Sequence, residues 1–179
     1  MSKKKHLHII SAKVWGGGET YIYNLSKFYK SQGNELVLIC EKANPKIINR
    51  LSLVARVIPF DLSNNKIFAN IKKINKIIKD LNISTINYHS GRNSLLSYAL
   101  TRLSKKPCYF FKHNITKGKS DFYHYTIYKS LTRIVCVSSK VRNEFISQLP
   151  LEIVQKTLVI HNAVFEQKQI LPLKTKNTK

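Results

Sequence analysis

The residues with the clearest chemical potential sit where short apolar runs end. Gly16-Gly17-Gly18-Glu19 follows the first apolar run, His89-Ser90-Gly91-Arg92 the fourth, and Lys112-His113-Asn114 the fifth. Glycines let a backbone come close to an anion, and a helix that starts there offers free N–H groups and the positive end of its dipole. The spacing is neither GxGxxG, because position 21 is Tyr, nor a P-loop, because no GK[ST] follows. A tight turn without a ligand is an equal reading of the glycines alone. For His89–Arg92 alone, a strand-to-helix turn with Ser90 as its cap is the favoured reading, and one histidine is more often structural than catalytic. Convergence changes that balance. If the apolar runs are parallel strands, Gly16–Gly18, His89 and His113 gather on one carboxyl edge, where ligands bind doubly wound sheets.

Other chemistries are disfavoured. Ser138-Ser139 lacks a Gly-x-Ser-x-Gly elbow, so a nucleophilic serine is not expected and an N-cap is. Glu19, Asp61 and Asp121 are the acids near strand ends, too sparse for a two-carboxylate hydrolase. No acidic cluster that could hold a metal is visible. Cys40, Cys108 and Cys136 are odd in number and far apart, and read as reduced strand residues.

The elements that must position these residues follow from periodicity. Strands are expected at His6–Ser11, Glu35–Cys40, Ala55–Phe60, Thr85–His89, Pro107–Lys112, Arg133–Val137 and Thr157–Ile160. A glycine-rich turn is expected at Val14–Gly18. Helices are expected at Glu19–Gln32, Pro45–Leu53, Ile67–Leu81, Asn93–Leu103, Phe122–Leu131 and Lys140–Leu149. In Ile67–Leu81 the residues Ile67, Phe68, Ile71, Ile74, Ile77, Ile78 and Leu81 form an apolar face, and Asn82 suits its C-cap. The alternation implies an α/β domain: a mostly parallel sheet flanked by helices. The polar, lysine-rich stretch after Phe165 lacks a period and is expected to be disordered.

The chain has 179 residues, with 31 Lys or Arg against 9 Asp or Glu, a net charge of +22. Lysine-rich coding bias explains part of that excess, but the shortage of acids points to an anionic partner. No apolar run is long enough to span a bilayer, and no signal peptide is evident, so a cytoplasmic location is expected. Lys72, Lys73, Lys76 and Lys79 on the fourth-strand-preceding helix read first as a solvated face. Peripheral contact with an anionic membrane ranks second. Nucleic-acid binding ranks third, because that helix has no arginine and its aromatics do not interleave with the lysines.

In order, several of these segments resemble the N-terminal domain of family 4 glycosyltransferases of the GT-B fold. Gly17-Gly18-Glu19 looks like their "GGxE" loop, and Gly33-Asn34-Glu35-Leu36 their "GHEV". Asn87-Tyr88-His89-Ser90, Phe111-Lys112-His113-Asn114 and Arg133–Ser138 resemble later strand ends. Val159–Val164 resembles "vIpNGvd", with His161 and Ala163 in place of Pro and Gly. The resemblance implies a Rossmann-like acceptor-side half spanning residues 1–165, with Gly17 and Gly18 near a donor diphosphate. It places His113 by the donor sugar as the catalytic candidate, and Glu19, His89, Ser90 and Asn114 as acceptor or sugar contacts. The implied substrates are a nucleotide sugar and an envelope-glycan or lipid-linked acceptor, with no cofactor or metal. The family's C-terminal nucleotide-sugar domain is missing, so the expectation is a truncated or split enzyme with little activity alone. The alternative is a non-catalytic basic module that binds an anionic membrane or a phosphorylated ligand.

Overall fold

The computed structural model describes residues 4–12, 14–91 and 94–162. Arg92, the Asn93 helix start, Ala163, Val164 and the lysine-rich stretch beyond lie outside the described residues.

Seven strands form one fully parallel sheet: β1 (Lys5–Ile10), β2 (Leu36–Glu41), β3 (Arg56–Phe60), β4 (Ile83–Tyr88), β5 (Cys108–Lys112), β6 (Arg133–Cys136) and β7 (Thr157–Val159). Their spatial order is β3-β2-β1-β4-β5-β6-β7. The chain therefore winds outward in both directions from β1, and the reversal leaves a crevice between the carboxyl ends of β1 and β4. Among the described residues seven α-helices connect and follow the strands: α1 (Gly17–Ser31), α2 (Pro45–Ser52), α3 (Ile67–Asp80), α4 (Ser94–Ser104), α5 (Phe122–Ser130), α6 (Ser139–Ile146) and the short α7 (Leu151–Val154). Sequence periodicity did not anticipate α7, which is one turn long and offers too little pattern to see.

Side chains alternate across each strand, so the sheet has two cores. On one face Ile10, Leu36, Leu38 and Cys40 pack with Ile22 of α1 and with Ile47 and Leu51 of α2. On the other, Leu7, Val37, Ile86 and Tyr88 pack with Ile74 and Ile78 of α3, Leu100 of α4, Ile127 of α5 and Phe145 of α6. β2 is apolar through Leu36–Cys40 because both faces of this strand are covered. Cys40, Cys108 and Cys136 are free and buried, as expected, and burial pushes their thiols up to about 12, 12 and 11.

Local signals fix the helix ends. Asn44 Oδ1 accepts from the Ile47 N–H at 3.3 Å ahead of Pro45, and Ser138, not Ser139, caps α6 by accepting from Val141 N–H at 3.2 Å. On α3 the C-cap is Leu81; Asn82 follows it in the left-handed region at φ 50°. The apolar face of α3 also differs from expectation. Phe68 is 77% exposed, and Asn70 is buried in its stead, donating to the Asp61 carbonyl at 2.6 Å. Asn70 shares the i, i+4, i+8 row of buried Ile74 and Ile78, whereas Phe68 lies far round the helix from it, and the Asp61 carbonyl satisfies the buried amide.

Candidate functional site

α1 begins earlier than periodicity indicated, so Gly17 and Gly18 are its first turn and not part of the preceding loop. The cause is Glu19. Its Oε2 accepts the Gly16 N–H at 2.8 Å, the reciprocal half of a capping box, and this closes the helix start two residues upstream. None of Gly16, Gly17 and Gly18 adopts a positive φ, so space and not dihedral freedom is what they supply. A Cβ on Gly17 would meet nothing within 4 Å, whereas one on Gly18 would lie 3.5 Å from the His113 ring. The bend before α1 is pinned by Trp15, whose Nε1 donates to Thr20 Oγ1 at 2.9 Å and whose ring lies 3.9 Å from the Arg50 guanidinium.

Beside this helix start, three imidazoles from three adjacent strands form a hydrogen-bonded array. His8 Nδ1 lies 2.8 Å from His89 Nε2, and His89 Nδ1 lies 3.1 Å from His113 Nε2. The rings also stack. His89 lies 5.1 Å from His8 and 5.4 Å from His113, and it packs on Phe111 at 4.9 Å with the planes 19° apart. Tyr21 of α1 closes the array, 5.6 Å from the His113 ring. Sheet order explains the assembly: β1 pairs with β4 and β4 with β5, with His8 opposite Asn87.

The array is electrically neutral at physiological pH. Burial drives His8 down to about 3, aided by His6, and drives His113 down to about 4. Burial also holds His89 well below the ordinary histidine range, with the His8 and His113 charges adding to it. Each neutral ring carries one N–H, so the central ring must give one hydrogen bond and receive the other. Both bonds therefore run in the same direction, and the three tautomers switch together. His113 Nδ1 is buried with no hydrogen-bond partner among the described residues. It is the free end of the array, and its state as donor or acceptor is set by the two rings behind it.

The convergence of Gly16–Gly18, His89 and His113 expected from the sequence is present. Glu19 adjoins it, but its carboxylate is engaged with Gly16. Asn114 follows His113 and is exposed. Ser90 belongs to the other side of the turn after β4, lining a cavity on the opposite face of the sheet. The sequence reading missed His8, Tyr21 and Phe111. Lys72, Lys73, Lys76 and Lys79 are all exposed on α3, distant in sequence and element from the histidines, and Lys76 pairs with Asp80 at 2.6 Å. Among the described residues no three His, Cys, Asp or Glu side chains converge as a metal-holding group. No helix among them is long and apolar enough to cross a membrane.

A parallel sheet of this order with glycines at the first helix start makes this a Rossmann-like α/β domain, and it matches one half of a GT-B fold. Residues 15–167 match the model of Glycosyltransferase Family 4, and the chain belongs to that family. Three solved structures illustrate the fold. A glycosyltransferase from Rickettsia africae ESF-5 superposes with a TM-score of 0.74 at 22% identity, covering 90% of this chain and 43% of that one. Anabaena Alr3699/HepE, solved in complex with UDP and glucose, gives 0.65 at 14% identity, covering 89% of this chain and 44% of its own. The lipopolysaccharide outer core galactosyltransferase WaaB gives 0.62 at 16% identity, covering 97% and 50%. The chain thus spans about half the length of each. A search of curated protein sequences returns no significant match.

Proposed function

We propose that the chain forms the acceptor-side half of a nucleotide-sugar-dependent glycosyltransferase, with its reaction surface at the β1/β4 switch point. The observation that carries the reading is the pairing of an uncovered helix start, Gly17–Gly18, with the His113 ring in contact range of Gly18. The two features suit two parts of one substrate. The amides of Gly17 and Gly18 and the positive end of α1 meet a donor diphosphate, and Gly17 leaves room for it to approach. His113, neutral at pH 7, adjoins this approach with a buried Nδ1 that has no partner among the described residues, and a sugar or acceptor hydroxyl meets it once docking displaces the cover over that nitrogen. A dipole held by a rigid array stabilises developing charge without reorganising when the glycosidic bond breaks. His89, and His8 behind it, position His113; Asn114 borders the site.

An envelope-glycan acceptor is consistent with the lipopolysaccharide galactosyltransferase among the structural neighbours. Peripheral contact with an anionic membrane has its own support on α3. Lys72, Lys76 and Lys79 fall within about 60° of one another around the helix, and exposed Phe68 lies on the same stripe. Such a stripe combines charge attraction with an apolar side chain able to enter the interface.

UDP titrated into the full chain, followed by backbone amide NMR, tests the reading. The expected result is saturable, weak binding with the largest shifts at Gly17 and Gly18 and a shift of the His113 ring. Gly17→Val, which has open space for its side chain, should keep the fold and lose those shifts. Shifts confined to other surfaces, or unaffected by Gly17→Val, would count against it.

A further inference from the structure

The sheet's second face carries a cavity of about 410 Å³ at the same carboxyl edge, roofed by α4, α5 and the 114–120 loop. Its volume lies in the range of small-molecule sites. The base is apolar: Phe110, Ile127 and Phe145 line it, with Ile127 and Phe145 buried in the core. The rim is cationic. Lys112, Lys117 and Lys119 all line the opening, and none is paired with a carboxylate among the described residues. The acid that follows along the chain, Asp121, caps α5 and holds His124 Nδ1 at 2.7 Å; its carboxylate does not line the cavity.

Lys112 is the informative residue. It is half-buried, its Nζ donates to Thr116 Oγ1, and it sits 5.7 Å from the Phe145 ring centroid. An ammonium has three donors, so two remain without a partner among the described residues. Burial lowers its pKa, which reports the cost of keeping this charge away from water with no anion beside it. The loop that brings Lys117 and Lys119 to the rim is fixed in place. Gly118 N–H donates to the Phe145 carbonyl at 2.9 Å, and Gln148 Nε2 donates to the Gly118 carbonyl at 2.7 Å. A Cβ on Gly118 would lie 2.6 Å from that Phe145 oxygen and from Leu149, so the strap requires glycine.

We propose that this cavity binds a phosphate monoester of an apolar alcohol, with the phosphate on Lys112, Lys117 and Lys119 and the apolar portion against Phe110, Ile127 and Phe145. Neither half of such a ligand satisfies the site alone: free phosphate leaves the apolar base in water, and a neutral alcohol leaves the lysines without a counter-charge. The site is separate from the Gly17–His113 surface and does not depend on the function proposed for it.

The test is calorimetric titration of the full chain with octyl phosphate below its micelle concentration, against inorganic phosphate and octanol. Octyl phosphate should bind at least about tenfold more tightly than either, a gap of about 1.4 kcal/mol. Lys112→Met should weaken it by about tenfold or more, as should the double variant Lys117→Ala/Lys119→Ala, whose side chains are exposed and expendable for folding. UDP-induced shifts at Gly17 should persist in both variants, which separates this site from the first. Octyl phosphate binding no tighter than inorganic phosphate, or unchanged in both variants, would overturn the proposal. Vesicles of phosphatidylcholine with phosphatidic acid then name the source. Retention lost in Lys112→Met identifies a membrane lipid, and octyl phosphate binding without that retention identifies a soluble ester.

Discussion

Within β5, neighbouring residues serve two unlike environments. Phe111, with His113 just beyond the strand, turns to the α1 side, where histidine rings stack and bond to one another. Phe110 and Lys112 turn to the α5 side, where lysines rim an apolar cavity. The histidine face meets most of its polar needs internally and stays neutral, because burial makes protonation costly. The lysine face keeps its charge and leaves it without an acidic partner. One sheet edge thus carries a dipolar surface suited to orienting a reacting group and a charged surface suited to holding an anion. The two-residue period of a strand is what keeps them apart.

The largest effect expected from breaking this division comes from the floor of the lysine face. Phe145→Ala removes a side chain that is 1% exposed and should cost about 3–5 kcal/mol in urea unfolding. The imidazole signals of the array should stay in place in the surviving folded fraction; if they move, the two faces are coupled through the sheet.

Acid should act on the other face. His8 and His113 titrate near 3 and 4 when folded and close to 6.5 when unfolded, so the unfolded chain binds more protons between these values. Stability from the array is therefore complete above about pH 6.5 and is lost as pH falls towards 4. The slope should be about 1.4 kcal/mol per pH unit for each histidine that stays neutral in the fold. Denaturant midpoints between pH 7 and 5 measure it, and His8→Leu should reduce the slope by removing one such group.

Gly118→Ala should cost about 1–3 kcal/mol, because the new methyl group must displace the Phe145 carbonyl or Leu149. Weakened octyl phosphate binding with unaltered UDP shifts would place the damage on the lysine face alone. The smallest effect is at the surface: Lys76→Ala removes an exposed pair with Asp80 and should change stability by no more than about 0.5 kcal/mol. Any larger consequence should appear only in sedimentation with anionic vesicles.

Much of the architecture was legible because apolar runs and helical stripes alternate along the chain, and because the turns carry their own caps, as at Asn44 and Ser138. The gathering of Gly16–Gly18, His89 and His113 followed from parallel strands alone. His8 did not, since it meets His89 across 81 residues only because β1 lies next to β4, and strand order leaves no local mark. Phe68 lies off the Ile74–Ile78 row that helical geometry defines; Asn70 lies on it, and its polar amide is accommodated inside because the Asp61 carbonyl accepts from it. The lysine cavity left no local mark, because it depends on strand parity turning Phe110 and Lys112 to one face and Phe111 and His113 to the other.

The most direct test of the account is the imidazole nitrogen spectrum of the full chain at pH 5.5, recorded with and without UDP. Neutral rings are expected at His8, His89 and His113 at a pH where a free histidine is charged, with a shift of the His113 nitrogens as UDP is added. Rings that titrate near 6.5, or a His113 signal indifferent to UDP while Gly17 and Gly18 are also unmoved, would contradict it.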